Sequence, residues 1–302
     1  MKSAHFEKHK LLLAPNKSPE IKTGFYQDKY PLLASAKFDG VRAVITPDGI
    51  YSRNWKRFNL HLESYFSDAI EETRKNNAIL DGEIYARNLR FDELISNIRG
   101  SVINDSIRFY AFDSCSLEEW NNAKTKPFSK RYSETVTRYR HLNRIAPVVQ
   151  YRINNDDDLS NLFNQSISQG FEGLILRDAT SAYKNGRATM KQGIIYKLKQ
   201  WVTIDSKIIG FKQMMKSGKR TAKIGSYLLQ TSDGIEYAAK PAAGVTLDDT
   251  WHKRNQHLGK FAECRFMKHG VKLRPRFAHI TRFRPDLSDF DNLETLESVL
   301  GV

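Results

Sequence analysis

Apolar and polar residues alternate along the first two thirds of the chain with two different periods. A period of two predicts half-buried strands, and a spacing of three or four residues predicts amphipathic helices. The period of two is found at Leu32–Lys37, Ala78–Ala86, Ile107–Asp113, Gly173–Arg177 and Ile194–Trp201, and as a hairpin over Val41–Arg53. The helical spacing is found at Leu60–Asn76, Phe91–Gly100 and Asp156–Gln169, and in a segment with Ser129 as its cap and Tyr132, Val136, Tyr139 and Leu142 as its buried stripe.

The pattern changes beyond about Asp205. Hairpin-like apolar segments follow at Lys207–Gln213, Tyr227–Ala239 and Phe261–His269. Several short strands within about 100 residues are typical of a small β-barrel. We therefore predict two domains, residues 1–205 and 206–302. We expect the acidic tail to form a helix that packs on the second domain through its apolar residues, which are Phe290, Leu293, Leu296 and Leu300.

The net charge is strongly positive and unevenly distributed. The chain contains 48 Lys plus Arg and 34 Asp plus Glu, which gives +14 at pH 7. Residues 207–285 hold 17 of these cations and five of the acidic residues. Such an excess indicates a polyanionic partner, and the aromatic residues interleaved with it favour nucleic acid over a merely solvated surface.

Two cysteines, Cys115 and Cys264, lie far apart in the sequence. They exclude a zinc knuckle, a haem site and a disulfide scaffold, and they fit a reducing compartment. No apolar run approaches the roughly 20 residues that span a bilayer. The apolar run Leu11–Ala14 is ended by Pro15 and is too short for a secretory signal. We expect a cytoplasmic protein without a membrane segment.

The segment Lys37-Phe38-Asp39-Gly40-Val41-Arg42 places a lysine, an acid and an arginine around a tight turn. Glycine permits a turn geometry that other residues avoid. A lysine that acts as a nucleophile must lose its proton, and the ordinary lysine pKa of about 10.4 opposes this at neutral pH. Nearby cations or a metal ion lower the pKa of an amine, because they disfavour a further positive charge.

Later segments supply cations and carboxylates for such a site. Lys197 and Lys199 lie on one face of a predicted strand, where two like charges favour a bound anion; a wet edge strand is the alternative. Glu83 and Glu172 each adjoin a glycine on an apolar strand. A carboxylate there binds a hard cation or a ribose hydroxyl, unless it is simply an exposed strand end. Most aromatic residues spaced as in Phe109–Asp113 belong to the core, which leaves one of them to stack on a base.

Lys37–Arg42 matches the KxDGxR signature of the covalent nucleotidyltransferases, the superfamily of DNA ligases, RNA ligases and mRNA-capping enzymes. The chain most resembles the compact viral and phage ATP-dependent DNA ligases, from Leu12 to Asp286. The resemblance implies an α+β fold, in which an ATP-grasp-like nucleotidyltransferase (adenylation) domain of antiparallel sheets and helices precedes a small DNA-binding OB-fold barrel. The other segments follow in the family's order: Ser52-Arg53, Asp81-Gly82-Glu83, Phe109–Asp113, Glu172-Gly173, Tyr183–Lys191 and Lys197-Leu198-Lys199.

The resemblance also implies an activity and a role for each motif residue. The activity is the sealing of nicks in duplex DNA with ATP and Mg²⁺ (or Mn²⁺) by a monomer, through a lysine–AMP and a DNA-adenylate. Lys37 would be the nucleophile, with Asp39 and Arg42 beside the nucleotide and the nick. The implied nucleotide ligands are Arg42, Arg53, Glu83, Phe112 (stacked on adenine), Arg187, Lys197 and Lys199, and the implied metal ligands are Glu172 and Glu83. The implied DNA contacts are Arg42, Arg53, Lys216, Lys219, Arg220, Arg282 and Arg284.

One motif departs from the family pattern. The family's last motif, RxDK, appears here as Arg284-Pro285-Asp286-Leu287, so its lysine is missing. The case for Arg282 and Arg284 as helpers that orient pyrophosphate is therefore weaker than the case for the other residues. The basic connection Lys212–Tyr227 is either a mobile loop that grips DNA or a disordered hairpin.

Three other functions stay open at this point. An mRNA-capping guanylyltransferase shares the lysine signature and the barrel but uses GTP, and Lys197–Trp201 has the more ligase-like form. An RNA ligase commonly lacks an arginine at the position of Arg42. A catalytically silent nucleic-acid-binding protein is the third alternative. Such a protein would not need to keep all five of the candidate lysines and carboxylates, which are Lys37, Glu83, Glu172, Lys197 and Lys199. Roles in repair, replication and recombination are not distinguished by the sequence.

Overall fold

The computed structural model describes residues 9–16, 20–241, 251–267 and 274–300 of the chain. It divides into two compact units, Met1–Lys199 and Gln200–Val302. The described strands of the first unit form two sheets flanked by helices, and those of the second unit close into a barrel. None of the described helices is both long and apolar enough to cross a membrane.

Strands and helices alternate through the described part of the first unit, as the sequence predicts. The strands are β1 (Leu32–Lys37), β2 (Val41–Thr46), β3 (Gly49–Ser52), β4 (Ala78–Tyr85), β5 (Arg108–Ser116), β6 (Ile145–Pro147), β7 (Tyr151–Ile153), β8 (Gly173–Arg177) and β9 (Ile195–Lys199). The helices are α1 (Leu60–Tyr65), α2 (Ser67–Lys75), α3 (Phe91–Arg99), α4 (Leu117–Asn122), α5 (Phe128–Tyr139) and α6 (Asp156–Ser168), with short 3₁₀ turns at Ile21–Thr23, Gln27–Lys29 and Met190–Gln192.

The two sheets of the first unit carry the motif segments on neighbouring strands. One sheet has the strand order β7-β1-β8-β9, and the other has the order β3-β2-β4-β5-β6. Both β1 and β9 pair antiparallel with β8, so Gly173 lies opposite Lys37 on one side and Lys199 on the other. In the second sheet, β2 and β4 pair antiparallel and place Arg42 opposite Glu83.

An apolar cluster supports the five-stranded sheet from the helix side. Leu62 and Phe66 pack against Leu80, Ile84 and Phe109, and all five side chains are almost fully buried. Burying one such side chain stabilises the fold by about 1.5–3 kcal/mol. The strands that carry Glu83 and Phe112 therefore rest on a packed layer.

The helix predicted over Leu60–Asn76 proves to be two helices, α1 and α2. The break is at Phe66, whose φ of −108° and ψ of 28° lie outside the helical region and whose ring enters the core. A periodicity of three or four residues does not reveal such a break, because the apolar positions on both sides face the same core.

The prediction for α5 is wrong at its cap and in part of its buried face. Pro127 occupies the cap position, and Ser129 lies inside the first turn. The helix buries Phe128, Arg131, Thr135 and Tyr139 rather than the predicted Tyr132 and Val136. The physical reason is that Arg131 turns inward to an ion pair with a buried carboxylate, which an apolar pattern cannot foresee.

The second unit is a closed barrel of strands, as the sequence predicts, although β10 and β11 are longer than the short strands expected. Its described elements are β10 (Trp201–Lys216), β11 (Lys219–Gln230), β12 (Glu236–Pro241), a 3₁₀ helix (Trp251–His257), β13 (Phe261–Met267), β14 (Arg276–Arg284) and α7 (Leu296–Leu300). The strands close in the order β10-β11-β12-β14-β13, with β12 and β14 parallel and the other pairs antiparallel. Leu296 and Leu300 of α7 pack into the barrel core, as expected for the acidic tail. The predicted helix is shorter than expected, because Phe290 and Leu293 precede it.

Two features of the second unit differ from the sequence predictions. The predicted domain boundary after residue 205 falls inside β10, whereas the two compact units divide after Lys199. The connection Lys212–Tyr227 is a hairpin rather than a loop, since it is formed by β10 and β11 and turns at Ser217-Gly218. The last two residues of the predicted strand Phe261–His269 lie outside the described residues.

Candidate active site

Lys37, Glu172 and Lys199 form a row across three neighbouring strands. Lys37 ends β1, Lys199 ends β9, and Glu172 comes directly before β8, which lies between them. One oxygen of the Glu172 carboxylate forms an ion pair with Lys37 Nζ, and the other lies 2.6 Å from Lys199 Nζ. Only glycine fits at residue 173, because a Cβ there would lie 2.1 Å from the Leu198 carbonyl oxygen. This close approach of β8 to β9 brings the three charges together.

Burial and charge act in opposite directions on Glu172. The residue is 5% exposed, and burial alone would raise the pKa of its carboxyl. The positive charges of Lys37 and Lys199 outweigh burial and hold the pKa of Glu172 below its ordinary value. Its backbone N–H also donates to the Lys37 carbonyl oxygen at 3.0 Å. Glu172 is therefore an ionised and well-fixed carboxylate.

Lys197 extends the positive part of this row. It precedes Lys199 by two residues on β9 and so lies on the same face of the strand. Burial first, and then the charges of Lys199, Arg187 and Lys37, lower the pKa of Lys197 to about 8. Several cations that repel one another favour a bound anion, which would relieve the repulsion. Arg187 itself is exposed and donates to the Ala14 carbonyl oxygen at 2.5 Å.

Glu83 faces the turn that follows the lysine strand. Its Oε1 accepts a hydrogen bond from the Gly40 N–H at 3.1 Å. A Cβ at residue 40 would lie 2.5 Å from a backbone oxygen of β4, so the turn requires glycine. Burial raises the pKa of the Glu83 carboxyl, against the opposing charges of Lys37 and Arg42. The charge of Glu172 also acts on Glu83, which places the two carboxylates within electrostatic range of each other.

Arg42 is held in one orientation on β2. Its Nε and Nη2 donate to the two carboxylate oxygens of Asp81 at 2.7 and 2.6 Å, and its guanidinium carbon lies 4.8 Å from the centre of the Phe112 ring. The Tyr183 hydroxyl donates to the same carboxylate at 2.5 Å. Asp81 and Tyr183 lie in motif segments of the sequence, but neither is among the predicted site residues. The position of Asp81 on an apolar strand was the available signal, since a buried carboxylate needs partners.

The structure brings most of the predicted nucleotide and metal ligands to these two sheets. Asp39 is half-buried in the turn after β1, and Phe112 is half-buried on β5. Arg53 is exposed in the turn after β3, and no contact among the described residues joins it to the others. The predicted residues that do lie together through contacts or electrostatic interactions are Lys37, Arg42, Glu83, Phe112, Arg187, Lys197, Lys199 and Glu172.

The predicted DNA contacts of the second unit fall into two groups. Lys216, Lys219 and Arg220 are exposed at the tip of the β10–β11 hairpin. The arginines of the last motif are instead engaged by carboxylates within the barrel. Arg284 forms ion pairs with Asp205 at 2.5 Å and with Asp286 at 2.7 Å, and Arg282 pairs with Glu263 at 3.0 Å.

Comparison with known proteins assigns the family. The family model for the ATP dependent DNA ligase domain matches residues 12–199, which include every motif segment of the first unit. The chain belongs to the ATP-dependent DNA ligase family. It is similar to the DNA ligase of African swine fever virus (isolate Pig/Kenya/KEN-50/1950), with 26% identity over 216 residues that cover 68% of this chain and 49% of that one. The DNA ligase of Thermoplasma volcanium is 27% identical over 237 residues, 70% of this chain and 40% of that one. This member of the family thus spans about half the length of the viral relative.

Solved structures confirm the predicted fold class. The chain is similar to a Lig E DNA ligase, with a TM-score of 0.67 and 20% identity over 91% of this chain and 99% of that one. It is also similar to the Chlorella virus DNA ligase-adenylate, with a TM-score of 0.52 and 24% identity over 91% of this chain and 99% of that one. At these identities the likeness shows the fold, a nucleotidyltransferase domain with an OB-fold.

Proposed function

We propose that the protein seals 5′-phosphate/3′-hydroxyl nicks in duplex DNA with ATP. The observation that carries the proposal is the row of Lys37, Glu172 and Lys199, which places an amine, a carboxylate and a second amine within ion-pair distance. Transfer of a nucleotidyl group depends mostly on positioning the phosphate and neutralising the charge on its oxygens. A lysine nucleophile beside further cations meets both requirements.

In the first step, the unprotonated Lys37 amine attacks the α-phosphorus of ATP. A nitrogen–phosphorus bond forms, the bond from this phosphorus to the bridging oxygen breaks, and pyrophosphate leaves with that electron pair. Lys197 and Lys199 neutralise the α-phosphate oxygens, with Arg187 close to Lys197. Lys37 must leave its ion pair with Glu172 and give up a proton to solvent before it reacts, because an ammonium has no lone pair to donate.

The next two steps transfer AMP to DNA and then release it. An oxygen of the 5′-phosphate at the nick attacks the phosphorus of lysine–AMP and forms a phosphorus–oxygen bond. The phosphorus–nitrogen bond breaks, and the Lys37 nitrogen leaves with the electron pair and takes up a proton from solvent. The 3′-hydroxyl then loses its proton to solvent and attacks the 5′-phosphorus. The bond from this phosphorus to the bridging oxygen breaks, and AMP leaves with that electron pair as the phosphodiester bond forms. We assign Asp39 and Arg42 to the nucleotide and the nick, Phe112 to adenine and Glu83 to the ribose or the metal ion.

The two carboxylates of the site fit a magnesium ion. Mg²⁺ binds to proteins through one or two carboxylates and keeps several of its waters. Glu172 is ionised and Glu83 lies within its electrostatic range, so together they supply oxygen ligands of the right kind. Mn²⁺ prefers the same oxygen ligands. When bound, the ion would act as a Lewis acid that polarises phosphate oxygens.

Label transfer tests the proposed reaction. The protein is incubated with Mg²⁺ and α-labelled ATP or α-labelled GTP, denatured and examined for a labelled adduct, and nicked duplex DNA is then added. We expect an adduct from ATP alone, followed by sealing. Lys37→Ala removes the only proposed nucleophile, so we expect both the adduct and sealing to fall by at least about 10³-fold. DNA binding should persist in this variant, since phosphate contacts elsewhere supply it.

Lys75→Ala is the matched control, because Lys75 is exposed at the end of α2 and lies outside the proposed site. It should keep both activities. Label from GTP alone would instead indicate a capping guanylyltransferase, and sealing of nicked RNA but not nicked DNA would indicate an RNA ligase. DNA binding without any adduct in the unaltered protein would indicate a silent nucleic-acid-binding protein.

The division of labour between the two parts of the chain belongs to the same proposal. We assign the first unit, Met1–Lys199, to adenylation and the second unit, Gln200–Val302, to DNA binding by the OB-fold. Two observations support this division. Lys37, Glu172 and Lys199 all lie in the first unit, whereas residues 207–285 hold 17 Lys plus Arg and five acidic residues. We further infer a monomer that acts in the cytoplasm, which is that of the host cell if the chain is viral. Light scattering after gel filtration measures the mass in solution.

A further inference from the structure

A ring of hydrogen bonds links Arg42 to a tyrosine and to the N-terminal segment. The Tyr183 hydroxyl donates to Asp81 Oδ2 at 2.5 Å and accepts from the Leu12 N–H at 3.2 Å. Asp81 accepts from Arg42 Nε and Nη2 through its two oxygens, and Arg42 Nη2 also donates to the Leu12 carbonyl oxygen at 3.4 Å. Each member of the ring thus contacts both of its neighbours.

The members of the ring are anchored independently in the fold. Arg42 and Asp81 belong to β2 and β4, whereas Tyr183 comes from the connection between β8 and β9. The Tyr183 N–H donates to the Thr125 hydroxyl at 2.7 Å, and the Tyr183 side chain packs in the same apolar cluster as Leu12. The hydroxyl of Tyr183 therefore reaches Asp81 from a fixed position.

Burial makes every bond of this ring important. Asp81 is 1% exposed and Tyr183 is 5% exposed, and a buried carboxylate is costly unless donors satisfy it. Burial, and then the charge of Asp81, raise the pKa of Tyr183 well above its ordinary value, so its hydroxyl keeps the proton that it donates. By contrast, 23% of the Arg42 side chain remains exposed. The ring thus holds Arg42 from behind and leaves part of it open to a ligand.

We propose that Tyr183 is a positioning residue that fixes the guanidinium of Arg42 through Asp81. The inference deepens the proposed function and rests on it for the role of Arg42 at the nucleotide and the nick. Without the Tyr183 hydroxyl, Asp81 keeps Arg42 as its only side-chain donor in the ring, and the carboxylate and guanidinium can turn together. The side-chain freedom that Arg42 then gains must be lost again when the ligand binds.

Single-turnover sealing of nicked DNA tests the coupling between the two residues. We expect Tyr183→Phe to slow sealing by about tenfold in the unaltered background, because small misplacements of a catalytic group are costly. In the Arg42→Gln background the same change should slow sealing by less than about twofold, since the group that it positions is gone. An equal slowing in both backgrounds, or no slowing in the first, would overturn the proposal.

Tyr65→Phe is the matched control for loss of a buried hydroxyl. Tyr65 is 9% exposed, and its hydroxyl donates to the Ile107 carbonyl oxygen at 3.1 Å in a different apolar cluster of the same unit. We expect this variant to lower thermal stability about as much as Tyr183→Phe and to leave the rate of sealing unchanged. A rate that tracks stability in both variants would show that Tyr183 has a structural role only.

A second measurement does not depend on activity. Exchange of the Arg42 Nε–H with solvent, followed by NMR, should be slow in the unaltered protein and at least about tenfold faster in Tyr183→Phe, because the ring protects this bond. Slow exchange in both proteins would overturn the proposal. Exchange of Arg42 Nε–H can be slow in the unaltered protein and fast in Tyr183→Phe while the unaltered protein forms no adduct with ATP. In that case the proposed function fails and the positioning of Arg42 stands.

Discussion

At the scale of single residues, the pairing of Glu172 with two lysines sets the order of events in the proposed reaction. Each oxygen of the carboxylate holds one ammonium, and one of the two belongs to Lys37, the proposed nucleophile. A cation that binds Glu172 competes with Lys37 for the carboxylate and so releases it from the ion pair. The same carboxylate would then serve the resting state as a counter-charge and the loaded state as a metal ligand.

The altered pKa of Lys197 predicts the pH dependence of nucleotide binding. The folded value of about 8 is below the ordinary value for lysine, so Lys197 carries its charge below about pH 8 and loses it above. We expect AMP affinity, measured by calorimetry without metal, to fall as the pH rises beyond about 8, by up to tenfold per pH unit. The phosphate of AMP keeps its charge throughout this range, so the change reports on the protein.

Lys197→Arg separates this effect from other titrations. Arginine stays protonated at these pH values, so the affinity of the Lys197→Arg variant for AMP should stay constant up to about pH 10. A decline of the same steepness in the arginine variant would show that another group controls the pH dependence.

At the scale of elements, the β10–β11 hairpin extends beyond the barrel. The pairing of β10 with β13 starts at Trp201 and stops at Lys207. The pairing of β11 with β12 begins at Tyr227. Within the described residues, the rest of the two strands pair with each other alone, and Lys216 lies opposite Lys219. Like charges placed opposite each other destabilise a strand pair. A bound polyanion would relieve this repulsion, so the two-stranded arm is suited to bind one at its exposed tip.

Replacement of the three cations at the tip tests the arm. We expect Lys216→Ala, Lys219→Ala and Arg220→Ala together to weaken binding to nicked duplex DNA. If each cation neutralises one phosphate, the slope of log affinity against log salt should become shallower by about 2.7. Fluorescence anisotropy over a range of salt concentrations measures both quantities.

The matched control removes the same charge from other exposed positions, Lys75, Lys124 and Arg140, by substitution with alanine. Its salt slope should stay close to that of the unaltered protein. If both triple variants lose affinity equally, net charge rather than the hairpin determines binding.

At the scale of the whole molecule, buried charge joins the two sheets of the first unit. Asp113 on β5 is fully buried, and its two oxygens lie 2.8 Å from Arg131 Nε and 2.8 Å from Arg177 Nη2. Arg177 ends β8 in the other sheet, and Arg131 belongs to α5. Asp113 also follows Phe112 directly, so the same contacts hold the strand that carries this ring.

We expect Asp113→Asn to lower the free energy of unfolding by about 3–5 kcal/mol, because two buried guanidinium groups lose their counter-charge. Scanning calorimetry of the full chain measures the loss in the transition of the first unit. Asp68→Asn, at an exposed position of α2, is the control and should leave the transition unchanged. Equal stability of the two variants would contradict a role for Asp113 in holding the sheets together.

The sequence by itself determined the positions of most strands, the change of pattern near residue 205 and the family signature around Lys37. These features are encoded locally, since the period of a strand and the residues of a turn involve neighbours in the chain. The tertiary structure alone decided which buried charges meet. Asp81, the partner of Arg42, also binds Tyr183, which lies 102 residues away in the sequence. The inward turn of Arg131 on α5 depends on the carboxylate of Asp113 on β5. Such pairs form because burial makes an unpaired charge costly, and burial is a property of the folded chain.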